Sequence, residues 1–181
     1  MKARLHLVLM DVSRLESLFS YGPALLAPSA WIVTALSVRS VVGQDAVVVM
    51  HAVMVLFISG FLAFGWRRMS DGLEVWRAVL AFGLVFTVLG LAGFLFDIGA
   101  LTTIVPELGY WLLAPALASV YTGGRMEDSP LVLAGGVVSL LAGAVALHGI
   151  FMGSFLVVGL GGKVVGDFVS LAGAISSLEE K

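Results

Sequence analysis

The sequence predicts an all-α integral membrane protein: a bundle of six transmembrane helices with a short N-terminal amphipathic helix. Three observations lead there. Hydrophobic residues make up 60% of the 181-residue chain and charged residues 12%, with a mean hydropathy of +1.07. Soluble domains are nearer half apolar and a quarter charged, so this chain has too few ionisable groups to solvate a surface. The apolar residues fall in runs of about 20, the length that crosses about 30 Å of hydrocarbon as a helix. The basic residues between those runs gather on alternate loops, as the positive-inside rule expects of a multi-pass chain.

Taken in order, residues 1–20 place Leu5, Val8, Leu9, Val12, Leu15 and Phe19 at steps of three and four, on one helical face. Asp11, Arg14 and Glu16 interrupt what a signal peptide would keep apolar. The segment 3–19 is therefore expected to lie as an amphipathic helix on the cytoplasmic surface, or to lead as a helix into the first span. The transmembrane domain covers 21–176. Its first span is 21–42, with Pro23 and Pro28 near its start, and the second is 46–66, stopped by Arg67 and Arg68. The third, 73–96, ends at Asp97, and the fourth, 101–121, precedes a polar loop at 122–129. From 130 to 162 there is no Asp, Glu, Lys or Arg. At about 1.5 Å per residue one helix of that length would overshoot the bilayer. The run is read as a hairpin turning near His148 and Gly149, giving spans 130–147 and 150–174 and a tail at 177–181, with five spans as the alternative.

Lys2, Arg4, Arg14, Arg67, Arg68, Arg77, Arg125 and Lys181 fall on one side of this topology and Arg39 on the other, so both termini are expected in the cytoplasm. Tyr21, Trp66, Trp76 and Tyr121 mark the same interface as an aromatic belt. Small residues recur every four positions at Gly135, Ser139 and Gly143, at Gly149 and Gly153, and at Gly162 and Gly166. Such stripes let helix backbones approach closely, either within the chain or against a second copy or another membrane subunit.

Ionisable side chains inside lipid are costly, so each is a candidate site. These are His51, Glu107, His148, Lys163 and Asp167, with Asp97 at a boundary. The topology sends His51, Asp97, Glu107 and His148, from four different helices, toward the outer leaflet, where they would form a polar cavity. His51, His148 and Glu107 have the chemistry to hold a divalent metal. His51 and His148 on opposing helices could clamp a haem b iron. Glu107 follows Pro106, whose missing N–H frees a carbonyl to face a cation. A buried carboxyl beside an imidazole that titrates near neutrality also suits a proton relay. Lys163 and Asp167, four residues apart on one helix, are expected to form an intramembrane ion pair.

Other classes are excluded. There is no cysteine, hence no disulfide or thiolate ligand. A net charge of −2 without a basic cluster argues against nucleic acid as a partner. No Walker A loop, H-E-x-x-H or G-x-S-x-G motif occurs, and no catalytic residue is assigned. The lipid bilayer is the expected partner. The reading that follows is a transporter, channel or membrane subunit of a transport complex handling a small solute or ion. The alternatives are a haem-, quinone- or metal-binding subunit of a redox complex, and an accessory scaffold subunit.

Overall fold

Inside lipid every backbone N–H and C=O must be satisfied by the chain itself, and an uncharged apolar run achieves this as a helix. The computed structural model describes residues 26–67, 69, 74–125 and 130–179, and every regular element among them is α-helical. These are α1 (Leu26–Val38), α2 (Gln44–Gly65), α3 (Glu74–Phe96), α4 (Ile104–Gly123), α5 (Pro130–Met152) and α6 (Leu156–Glu179). The last five are each long and apolar enough to cross a bilayer. α1 is shorter over its described part. The start of the first expected span and the amphipathic segment 3–19 lie outside the described residues.

The hairpin in the uncharged run exists, but it turns at 153–155 rather than at His148 and Gly149. Gly153 takes the left-handed conformation (φ 69°) and its N–H bonds back to the Gly149 carbonyl at 2.9 Å, which ends α5. Gly149 serves instead as a packing position: a Cβ there would lie 2.5 Å from the Leu156 nitrogen on the opposing helix. α3 ends in the same manner, with Asp97 at φ 52° and the Ile98 N–H bonded to the Gly93 carbonyl at 3.1 Å.

The helices pack in chain order, α2 on α3, α3 on α4, α4 on α5 and α5 on α6, with a smaller contact between α4 and α6. Trp31 brings α1 onto the last three by packing against Leu112, Ala146 and Leu160. α5 is the middle layer and presents small residues on two faces. A methyl group at Gly135, Gly159 or Gly166 would collide with the backbone of Ser170, Ala146 or Ser139, so α5 and α6 meet backbone to backbone. On the other face Gly136 sits 2.8 Å, measured from an added Cβ, from the Val120 nitrogen, and Gly143 lies against the Leu112 carbonyl of α4. The small residues of Gly135, Ser139, Gly143, Gly149, Gly162 and Gly166 are thus spent on contacts within the chain, and Gly153 on the turn.

Candidate functional site

α3 and α4 join differently from α5 and α6. α3 buries Gly83, Thr87, Gly90 and Gly93 along one line, a row of notches rather than a smooth face. Side chains of α4, and of Thr103 just before it, fill them. The Trp111 ring occupies the space a Cβ on Gly83 would take, Glu107 that of Gly90, and Thr103 that of Gly93. Trp111 Nε1 donates to Thr87 Oγ1 at 2.9 Å, and that hydroxyl donates to the Gly83 carbonyl at 2.8 Å. Tyr110 Oη donates to the Val79 carbonyl at 2.7 Å and its ring stacks on Phe86. These bonds fix the rotation of α4 and therefore the direction of Glu107, one turn before Trp111.

Through the Gly90 notch Glu107 reaches a third helix. Its Oε2 lies 3.0 Å from His51 Nε2 on α2, with both residues buried at 5% and 6% exposure. No Cα pair between α2 and α4 lies within 8 Å among the described residues, so the two side chains bridge helices whose backbones do not meet. Only a residue without a side chain at position 90 leaves room for that bridge. The imidazole is held on two more sides. Its Nδ1 lies 2.7 Å from the Val47 carbonyl, and Phe94 of α3 packs edge-on at 5.2 Å between ring centroids.

This geometry assigns the protons. The Val47 carbonyl can only accept, so Nδ1 carries a hydrogen. Nε2 then faces the carboxyl in one of two ways. A neutral imidazole accepts from a protonated Glu107, or an imidazolium donates to a carboxylate. The two differ only by one proton moved along the 3.0 Å line, so the pair holds a shared proton in either form.

A second cluster lies between α1, α5 and α6. Lys163, fully buried, donates to Asp167 Oδ1 at 2.8 Å and Oδ2 at 3.1 Å, and to Ser139 Oγ at 2.6 Å. Ser139 Oγ donates to Asp167 Oδ1 at 2.6 Å, and Trp31 Nε1 donates to Oδ2 at 2.9 Å. One carboxylate thus receives donors from three helices, and the Lys163 ammonium also lies 5.5 Å from the Trp31 ring centroid. The i, i+4 pair is as the spacing implies; the partners on α1 and α5 are additions. Ser139 entered the sequence reading only as a small residue, and Trp31 not at all.

The remaining candidates stand apart. His148 is exposed on α5, and Asp97 is exposed in its helix-ending position. Both ring nitrogens of His51 are already engaged, which leaves none for an iron clamped with His148. Among the described residues no three His, Cys, Asp or Glu side chains gather closely enough to hold a metal ion. Pro106 lies in the first turn of α4, where its absent N–H would have had no helical partner, so it frees no carbonyl for a cation. Pro115 is the proline inside that helix. The notch residues Gly83, Thr87, Gly90 and Gly93 went unread because a step of four, three and three among 22 glycines looks like chance. No known protein family, no curated protein and no solved structure matches this chain.

Proposed function

We propose that this chain is a small transporter, or the membrane subunit of a transport complex, in which His51 and Glu107 bind and release a proton as a solute or ion is moved. The observation that carries this reading is the buried His51–Glu107 bond reaching from α2 to α4 across Gly90. Ionisable groups at membrane depth add cost without adding packing, and are typically kept for ion or proton pathways. This pair also links its proton to its geometry. If the shared proton leaves, a nitrogen lone pair faces a carboxylate oxygen with no hydrogen between them, and the bridge between α2 and α4 is lost. Protonation state and helix arrangement are thereby coupled, as proton-driven movement of a second species requires.

The test uses purified protein in liposomes with an entrapped pH-sensitive dye and an imposed pH gradient. Glu107→Gln keeps a side chain of the same shape whose amide can still donate to Nε2, yet it has no titratable proton to release. Proton flux is expected to fall to that of protein-free liposomes while the melting temperature in detergent stays within a few degrees. Flux that persists unchanged in the variant, or is absent from the unmodified protein, refutes the reading.

A further inference from the structure

At the opposite end of the bundle from the His51–Glu107 pair, α2 ends, α3 begins and α4 ends. Arg77, in the first turn of α3, lays its guanidinium carbon 5.5 Å from the centroid of the Trp66 ring. Its Nε is buried and has no acceptor; among the described residues it is the one buried side-chain nitrogen or oxygen without one. An uncompensated buried donor on a charged group is costly, so an acceptor is to be expected in the working protein. A neutral one would leave the guanidinium charge unbalanced, which points to an anion.

The surroundings say which anion. Arg67, exposed just beyond α2, and Arg125, 4.3 Å over the Tyr121 ring just beyond α4, lie at this same end. Trp76 Nε1 donates to Thr122 Oγ1 at 3.1 Å and ties α3 to α4 here. Trp66 and Tyr121 are exposed at 47% and 45%. Aromatic rings of this kind settle at the level of lipid headgroups. Further along α3, Val85 and Val88, eight and eleven residues on and therefore on the Arg77 side of the helix, present apolar surface exposed at 54% and 45%, along which an acyl chain can lie. Glu74, three residues before Arg77, is the described acidic residue of this turn and has an interaction of its own. A guanidinium fork presents two N–H groups side by side, the spacing of two phosphate oxygens. We infer that Arg77, backed by Trp66, is a binding site for the phosphodiester headgroup of an anionic phospholipid. A phosphate group is the shared chemistry of lipid and free phosphate, and the apolar surface beside Arg77 favours the lipid.

Native mass spectrometry from detergent, with phosphatidylglycerol and phosphatidylcholine of the same acyl chains added in equal amounts, tests this. The unmodified protein is expected to retain phosphatidylglycerol with about a tenfold preference. Arg77→Gln should abolish the preference. Arg77→Lys, which keeps the charge and supports folding but lacks the Nε–H and the fork, should lose most of it. The inference is overturned if Arg77→Gln retains the preference, if Arg77→Lys retains it in full, or if millimolar inorganic phosphate displaces the bound lipid.

Discussion

The two buried pairs of ionisable side chains sit in halves of the bundle that were assembled by opposite means. Around Lys163 and Asp167, small residues let α5 and α6 touch backbone to backbone, and each oxygen of the carboxylate is held by two donors. Around His51 and Glu107, α2 and α4 stay apart, and a single bond spans the gap over Gly90. In lipid there is little hydrophobic drive between helices, so packing and hydrogen bonds must supply the association. The α5–α6 half uses both at once and leaves nothing of its ion pair unsatisfied. The α2–α4 half relies on side chains seated in notches, where gain or loss of one proton alters a whole inter-helix link. Permanence belongs to the first arrangement and adjustability to the second.

That contrast is most severely tested at Asp167. Asp167→Ala leaves the fully buried Lys163 without its counter-charge and should destabilise the protein by about 3–5 kcal/mol in detergent denaturation. The double variant Lys163→Met with Asp167→Leu, which removes both charges, should recover most of that loss. A cost under about 1 kcal/mol for Asp167→Ala would show that the cluster does not secure the α1–α5–α6 core.

The same small substitution then separates the two halves. Gly166→Ala drives a methyl group into the Ser139 backbone, which cannot yield, and is expected to cost about 1–3 kcal/mol. Gly90→Ala meets only the end of the Glu107 side chain, which can swing away, and alanine favours a helix by about 1 kcal/mol over glycine. The lost His51 bond offsets that gain, so its melting point should fall less than that of Gly166→Ala, while proton flux is lost because the carboxyl is pushed off His51. Equal destabilisation by both substitutions would erase the distinction. Thr87→Val, which removes the acceptor of the Trp111 indole, should cost about 1 kcal/mol and lower flux partially by loosening the rotation of α4. The smallest effect is expected at the exposed His148, where replacement by alanine should leave stability within about 0.5 kcal/mol and flux unchanged.

Much of the helical plan could be read from single residues. Arg67 and Arg68, Asp97 and the polar stretch after Tyr121 mark where apolar runs stop, and the described ends of α2, α3 and α4 fall within a few residues of those signals. The spacing of Lys163 and Asp167 was enough to pair them. The hairpin turn was misplaced because two glycines four apart carry the same letter and different duties. Gly149 accommodates Leu156, and Gly153 supplies the left-handed turn. Periodicity sees a stripe and has no means of telling close approach from reversal of the chain.

His51 and Glu107 were each marked as candidates by being ionisable at membrane depth, and sequence alone determined that much: hydrocarbon penalises a charge wherever the chain places it. Sequence likewise determined that this chain is a bundle of apolar helices, because its apolar runs have the length of a membrane-crossing helix, about twice that of a barrel strand, and a helix satisfies its own backbone in lipid. Which of the candidates meet was decided by tertiary structure alone. Depth along a helix is a one-dimensional quantity, and it grouped His51, Asp97, Glu107 and His148 together. Rotation about the helix axis is fixed by what each helix packs against, and it turned His148 outward while aiming Glu107 through the space above Gly90 to His51.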